Sequence, residues 1–137
     1  MNLLASLGQV NWLSVLVAAI AAFAIGSLWY SPVLFSKIWQ KELKLTKEDI
    51  QGANMPLIFG TSFVMEFIAA LGLDLFIGPH GTLMWGIVKG ALAGIAWVAT
   101  SIGTNYLYSQ KSLKLYAIDA GYFIVYFIAM GAILGAW

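Results

Sequence analysis

Long apolar runs separated by short polar connections dominate this chain of 137 residues. The hydrocarbon core of a bilayer is about 30 Å thick, and a helix needs about 20 apolar residues to cross it. We therefore predict an all-α integral membrane protein, with four transmembrane helices in a single domain that covers residues 1–137. The runs of sufficient length are Asn11–Tyr30, Leu57–Ile77, Leu83–Tyr108 and Leu115–Trp137.

The composition agrees with lipid as the solvent, because 61% of the residues are hydrophobic and only 9% are charged. There is no cysteine, which excludes disulfide bonds and thiolate metal sites. We also find no pair of histidines at ligand spacing, no nucleophile elbow and no phosphate-binding loop. We therefore expect no enzymatic activity, no cofactor and no metal, and a surface role for the single histidine, His80.

The lysines are distributed unevenly around the four runs. All seven basic residues are lysines, and six of them lie in or beside the connections that follow the first and third runs. The segment Met1–Val10 and the turn Gly78–Gly81 contain none. By the positive-inside rule, the lysine-bearing connections face the cytoplasm of a bacterial cell and both termini face outward. Because these lysines lie at the membrane surface, we do not expect nucleic-acid binding. The six are Lys37, Lys41, Lys44, Lys47, Lys111 and Lys114.

The connection after the first run has an amphipathic pattern. Trp29 and Tyr30 precede it, at the depth where aromatic rings anchor helices to headgroups. Beyond Pro32, apolar residues alternate with lysines at helical spacing, which predicts a short helix in the cytoplasmic interface. The segment Thr46–Asp49 resembles a capping box and predicts a second short helix. An orienting anchor is the simpler role for this region, and a lipid-specific or partner-binding surface is the alternative.

Three ionisable residues lie inside two predicted helices. Because the turn Gly78–Gly81 fits a type I turn, these helices form an antiparallel hairpin. The rise of a helix is about 1.5 Å per residue, so each depth below the outer end of the residue's own helix can be calculated. The depth is roughly 6 Å for Asp74, roughly 10 Å for Lys89 and roughly 18 Å for Glu66. The amine of Lys89 is therefore able to pair with either carboxylate, or to extend outward to the headgroups.

Glu66 is the most informative of the three, because it is expected near the bilayer midplane. A carboxyl group there must be protonated, paired or exposed to a wet cavity. One interpretation is a neutral acid that holds two helices together by a hydrogen bond. The other is a site that binds protons or cations, in which Lys89 balances the charge and Asp74 lies nearer the outer surface.

A second polar layer is predicted near the cytoplasmic side. Asn105 lies a few residues before the end of the third run and Asp119 a few residues into the fourth, so a short connection brings them to similar depth. We expect them to hydrogen-bond to each other. This pair either holds the two helices together or lines a cytoplasmic opening. Tyr122 follows Asp119 at helical spacing and offers a phenolic donor on nearly the same face.

Glycines recur every four residues in the third and fourth runs. Such spacing allows another helix to approach the backbone closely, in the same chain or in a partner. Together with the many large apolar side chains, this pattern leads us to expect a homo-oligomer, with a larger membrane complex as a further possibility. The glycines are Gly86, Gly90 and Gly94 in the third run and Gly131 and Gly135 in the fourth.

Short motifs also occur in a characteristic order along the chain. They include Asn11-Trp12, Leu28-Trp-Tyr-Ser-Pro32, Thr46-Lys-Glu-Asp49, Asn105-Tyr-Leu-Tyr108, Ile118-Asp119-Ala-Gly-Tyr122 and Met130-Gly-Ala-Ile-Leu-Gly-Ala-Trp137. In this order they resemble the small membrane proteins grouped as domain of unknown function 1761. The resemblance covers essentially the whole chain and implies a compact four-helix bacterial or fungal membrane protein. It implies no catalytic or binding residues.

Two functions from different classes follow from these patterns. The first is transport of a small solute, protons or cations through an oligomer, with Glu66 as the titrating group. The second is a structural or accessory subunit that packs beside other membrane proteins through its glycine faces. The surroundings of Glu66 distinguish the two functions. Transport calls for a hydrated cavity there, whereas a dry helix contact in which a neutral donor satisfies the carboxyl group removes the main reason to propose it.

Overall fold

A computed structural model describes residues 2–137 and contains only helices and connections in that range. Four helices are long and apolar enough to cross a membrane, which confirms the predicted class. Their bounds lie within two residues of the predicted ones. The helices are α1 (Leu3–Gly8), α2 (Trp12–Trp29), α3 (Ser36–Glu42), α4 (Lys47–Gln51), α5 (Met55–Ile77), α6 (Leu83–Leu92), α7 (Thr100–Tyr108) and α8 (Leu113–Ala136). The third span, Leu83–Tyr108, consists of α6, a π-helical segment (Ala93–Ala99) and α7.

Polar side chains fix where the four spans begin. Asn11, Asn54, Thr82 and Ser112 each accept a hydrogen bond from a backbone N–H in the first turn of the helix that follows. Such a cap satisfies donors that have no partner inside the helix. At the other end of α5, Gly78 has φ +86°, a left-handed conformation that favours glycine and stops the helix.

The connection between the first two spans contains both predicted short helices. In α4, Asp49 N–H donates to the hydroxyl of Thr46, and the carboxylate of Asp49 accepts from Thr46 N–H, so the capping box is confirmed. The helix α1 was not predicted. It is capped by Asn2 and contains no buried residue, so it left no amphipathic signal in the sequence.

The fourth span is the centre of the bundle, where α8 packs against α2, α5 and the third span. Its contact with α6 depends on the predicted glycines. A Cβ atom at Gly86 would overlap the carbonyl oxygen of Gly131, and one at Gly90 would overlap that of Phe127. The two glycine stripes therefore face each other within one chain. The sequence left open whether the partner of these stripes lies in the same chain, and the structure pairs them with each other.

The π-helical segment Ala93–Ala99 interrupts the third span and was not predicted. A π turn adds a residue to each turn and shifts the faces of the helix that follows. The hydroxyl of Tyr116 donates to the carbonyl of Ala99, 2.9 Å away, at the end of this segment. This contact joins the segment to α8.

The two ends of the bundle differ in charge. At one end α1, the turn between α5 and α6, and the last residues of α8 surround a small cavity. At the other end lie α3, α4 and the turn between α7 and α8, where Lys114 and Glu42 are 3.9 Å apart. The six flanking lysines belong to this second end, which we call the lysine-rich end. We call the first the lysine-poor end.

Candidate functional site

Glu66 lies on the face of α5 that packs against α2 and α8, and only 8% of its surface is exposed. Its Oε1 accepts a hydrogen bond of 2.8 Å from the hydroxyl of Tyr122. Its Oε2 is buried and has no hydrogen-bond partner within residues 2–137. The carboxyl group is thus only half satisfied, with one neutral donor to Oε1 and none to Oε2, in a buried contact between helices. A buried oxygen without a partner is rare in native structures and calls for an explanation.

Tyr122 connects Glu66 to the first span. Its hydroxyl lies 3.4 Å from the carbonyl oxygen of Ala22, in addition to its shorter contact with Glu66. Gly26 makes room for this hydroxyl, because a Cβ atom there would lie 2.7 Å from it. A phenol has a single proton to donate, so the two oxygens compete for it. The sequence correctly placed Tyr122 on an inner face, but it did not identify these two acceptors.

Asp119 forms a second buried cluster, with 7% of its surface exposed. Its Oδ1 accepts a hydrogen bond of 2.6 Å from Tyr30, and its Oδ2 accepts one from Tyr106. The predicted contact between Asp119 and Asn105 is wrong, because the side chain of Asn105 is exposed. One residue corresponds to about 100° around a helix, and this rotation turns Tyr106 toward α8 in place of Asn105.

Trp29 and Tyr30 are part of this inner network. The indole N–H of Trp29 donates to the carbonyl of Ile118, at 2.9 Å, while Tyr30 reaches Asp119. Sequence reasoning missed this role because an aromatic pair at a helix end has the same pattern in both settings. Both side chains are half-buried, and their position at the headgroups stays a prediction.

The two clusters touch each other through aromatic rings. The rings of Tyr30 and Tyr122 meet edge to face, with their centroids 5.3 Å apart. A line of carboxyl and phenol groups therefore runs from the interior of the bundle toward the lysine-rich end. We call it the polar line, and its members are Glu66, Tyr122, Tyr30, Asp119 and Tyr106.

Lys89 takes no part in the polar line. Its amine donates to the carbonyl of Phe76, 2.6 Å away, and lies 4.6 Å and 5.1 Å from the ring centroids of Phe76 and Trp85. It forms no ion pair with Glu66 or Asp74, since the salt bridge found in residues 2–137 joins Lys114 and Glu42. The side chain of Lys89 extends outward, toward the lysine-poor end, which is one of the two directions that the sequence left open. It does so because the last carbonyls of α5 have no partner inside the helix and are able to accept from its amine.

Each end of the bundle has an opening near part of this arrangement. At the lysine-poor end, Asp74 and Ser14 line a cavity of about 170 Å³. At the lysine-rich end, Tyr106 and Lys111 line an open groove of about 500 Å³. Glu66 lines neither of them. His80 is exposed and lies outside the lining of the cavity.

These side chains suit proton exchange better than metal binding. Across residues 2–137 no three His, Cys, Asp or Glu side chains are grouped closely enough to hold a metal ion. Carboxyl and phenol groups are able both to donate and to accept hydrogen bonds, according to their protonation. The polar line is therefore a series of carboxyl and phenol groups that are able to exchange hydrogen bonds in either direction.

Comparison with known proteins yields one match. A family described as "Protein of unknown function (DUF1761)" matches residues 13–135 of the chain. The match includes every member of the polar line and omits only the first twelve and last two residues. No curated protein and no solved structure matches the chain.

Proposed function

Since this chain belongs to the DUF1761 family of proteins of unknown function, its activity has to be inferred from its own residues, and we propose that it carries protons across a membrane. Glu66 is the group that binds and releases the proton. The observation that supports this role is its buried carboxyl group, with one phenol partner and one oxygen without any. Ionisable residues inside a membrane domain are costly to maintain and commonly mark a transport pathway.

The polar line gives Glu66 a connection to the lysine-rich end. Glu66 releases its proton to the hydroxyl of Tyr122, which passes its own proton to the hydroxyl of Tyr30 once the two touching rings have turned. Tyr30 then donates to Asp119, and the proton reaches the groove through Tyr106. Hydroxyl groups relay protons by accepting one as they donate another. The gap between the two clusters is an aromatic contact, so turning of these rings limits the rate.

The connection to the lysine-poor end is closed in this structure. Asp74 lies eight residues beyond Glu66 on α5, which corresponds to about 12 Å along the helix. Ala18, Ala19 and Ala70 are completely buried in the α2 and α5 region between these levels. Their methyl groups are small, so a modest separation of α2 and α5 admits water. Such helix movements take place in microseconds to milliseconds.

The cellular setting is part of the proposal. We place the chain in a bacterial cytoplasmic membrane, with the lysine-rich end inside and both termini outside, because six lysines lie at one end. We also propose a homo-oligomer. Each copy contains its own polar line, so the oligomer positions the copies in the membrane and does not form the pathway.

The dry contact around Glu66 favours a second function, that of a structural or accessory subunit. In this role Glu66 and Asp119 lock the helices together through tyrosine hydroxyls, and the protein acts through its outer surface. The glycine stripes are covered inside the chain, so a partner would contact another face. The first turns of α5, from Met55 to Thr61, are exposed throughout and offer such a face.

Proton flux in vesicles distinguishes the two functions. Purified protein is reconstituted with an internal pH-sensitive dye, and a potassium gradient with valinomycin drives proton entry. Glu66→Gln keeps the shape and a hydrogen-bonding amide but cannot release a proton. Glu48→Gln is the matched control, because Glu48 is exposed in α4 and lies outside the polar line.

We expect proton flux from the wild type and from Glu48→Gln. We expect Glu66→Gln to show only the background proton leak of vesicles without protein. All three proteins must elute as the same folded species on gel filtration. Absence of flux from the wild type would overturn the proposal in favour of the accessory role. Flux that persists in Glu66→Gln would show a pathway that does not use this carboxyl group.

A further inference from the structure

The cavity at the lysine-poor end is lined by residues that do not belong to the polar line. It lies where α1, the start of α2, the end of α5 and the turn after it come together. Its volume is about 170 Å³. An apolar cavity of roughly 150 Å³ holds a benzene molecule, so this one has room for about six non-hydrogen atoms. It is open to the aqueous side at this end of the bundle.

The charge in this cavity comes from Asp74. No lysine lines the cavity, and within residues 2–137 the carboxylate of Asp74 has neither a salt bridge nor a hydrogen bond from another side chain. The nearest lysine along the hairpin is Lys89, whose amine is directed to the carbonyl of Phe76. A half-buried carboxylate beside an open cavity attracts a cation or a strong hydrogen-bond donor.

The neutral lining groups show which kind of cation fits. The hydroxyl of Ser14 donates to the carbonyl of Asn11, at 2.7 Å, so its oxygen is left to accept. Gln9 and Ser6 also line the cavity and offer further oxygens. A ligand with one positive charge and several N–H donors satisfies these groups together. A quaternary ammonium ion has no N–H donor, and a calcium ion takes about six to eight oxygen ligands, more than these side chains offer.

We infer that this cavity is a binding site for a small primary ammonium group, whose charge is held by Asp74. The helix α1 supplies one wall through Ser6, which gives this short helix a role beyond the membrane spans. Binding here does not require proton movement at Glu66. A free amine of the size of ethanolamine and the headgroup of phosphatidylethanolamine both present this chemistry.

Saturation-transfer NMR on the purified protein in detergent tests the site. The probes are ethanolammonium, tetramethylammonium and sodium ions, each as the chloride salt at equal ionic strength. We expect saturation transfer to ethanolammonium and none to tetramethylammonium, and we expect sodium to compete weakly. Binding of tetramethylammonium with the same strength would overturn the inference, because it would show that charge alone is selected.

Variants separate this site from the polar line. Asp74→Asn should weaken ethanolammonium binding about ten- to hundredfold, the usual effect of losing a charged hydrogen-bond partner. Ser6→Trp should also abolish binding, because its ring fills the opening while Asp74 stays in place. Glu66→Gln should bind as the wild type does, so loss of proton flux and loss of ammonium binding are independent results. Unchanged binding in Ser6→Trp and Asp74→Asn would overturn the site.

Reconstitution identifies the source of the ammonium group. In phosphatidylcholine vesicles, where the lipid has no N–H donor, we expect free ethanolammonium to bind. If replacing half of this lipid with phosphatidylethanolamine removes that signal from the wild type, the lipid headgroup occupies the cavity. If the signal persists, the site takes the free amine. Lack of binding in phosphatidylcholine vesicles would contradict the inference.

Discussion

Tyrosine hydroxyls are the partners of both buried carboxyl groups in this protein. Glu66 is held by Tyr122, and Asp119 by Tyr30 and Tyr106. A phenol stabilises a carboxyl group in either protonation state, since it donates to the ionised form and accepts from the neutral one. A lysine partner would instead fix the ionised form. A tyrosine partner is therefore compatible with the proposed role of Glu66 as a group that gains and loses a proton.

The role of Tyr106 can be tested at the level of one side chain. Tyr106→Phe removes a donor to Asp119, so we expect the free energy of unfolding to fall by about 1–3 kcal/mol. Asn105→Ala is the neighbouring control, and its exposed position predicts a change within about 0.5 kcal/mol. Thermal unfolding in detergent, followed by circular dichroism, measures both. A larger loss in Asn105→Ala would support the contact first expected from the sequence.

A substitution at Lys89 tests its separation from the polar line. Lys89→Met keeps the length of the side chain and removes the charge. Because the amine contacts only a carbonyl and aromatic rings, we expect unchanged proton flux and a stability loss of about 1 kcal/mol or less. The vesicle assay used for Glu66→Gln measures the flux. A strong decrease would mean that Lys89 sets the charge balance of Glu66 after all.

At the scale of the helices, the contact between α6 and α8 depends on the absence of side chains. Backbone atoms of the two helices meet at Gly86, Gly131 and Gly135, where any Cβ atom would overlap the facing helix. Without a hydrophobic driving force between helices in lipid, such close packing supplies much of the association energy. The glycines therefore hold α6 against the span that carries Tyr122 and Asp119.

This packing predicts opposite effects for two glycine substitutions. Gly86→Ala places a methyl group against the carbonyl of Gly131, so we expect a loss of about 1–3 kcal/mol or more. Gly72→Ala is the control, since nothing lies within 4 Å of its Cβ position. Alanine also favours helix formation there, by up to about 1 kcal/mol. Thermal unfolding of the two variants compares them directly, and equal effects would contradict the glycine contact.

The short helix α4 should respond to acid. The backbone N–H of Thr46, and then its side chain, lower the pKa of Asp49 below its ordinary value. The ionised carboxylate therefore stabilises the helix at pH values above the unfolded pKa, which is about 4. This contribution disappears as the pH falls through the lower pKa of the folded form.

The expected result is a loss of helical carbon chemical shifts in Lys47–Gln51 between about pH 4 and pH 2, measured by NMR in detergent. Asp49→Asn removes the titrating group, so its shifts should stay constant over this range. A transition of equal size in Asp49→Asn would assign the change to another carboxyl group.

For the whole molecule, the two ends of the bundle differ in charge and in the openings they contain. The lysine-rich end includes the groove beside Tyr106, and the lysine-poor end includes the cavity beside Asp74. Glu66 lies between them and lines neither, so the proposed proton pathway needs a change in helix packing. Because Ala18, Ala19 and Ala70 are the completely buried side chains of α2 and α5 between the levels of Glu66 and Asp74, we expect the change there.

Labelling of single introduced cysteines tests which end of the bundle faces the cytoplasm. The chain has no cysteine of its own, so any label reports the introduced residue. His80→Cys reports the turn after α5, and Gln51→Cys reports the end of α4; both positions are exposed. In intact bacteria a membrane-impermeant maleimide should label His80→Cys and leave Gln51→Cys unlabelled until the cells are opened. The reverse pattern would show that the lysine-rich end faces outward.

The sequence alone determined the helices of this protein, because the signals for them are local. Apolar runs gave the four spans, and caps such as Asn11 and Ser112 lie within a few residues of the backbone groups they satisfy. The capping box of α4 was readable for the same reason. The exceptions were α1, which buries nothing, and the π-helical segment, whose register shift has no sequence pattern of its own.

Only the tertiary structure decided which side chains meet. The rotation of each helix about its axis and the approach of its neighbours determine that Tyr106, not Asn105, contacts Asp119, and that the glycine stripes face each other. A shift of one residue turns a side chain by about 100°, so spacing along the chain cannot fix these partners. The sequence identified Glu66 as the unusual residue, and packing of three helices selected Tyr122 as its partner.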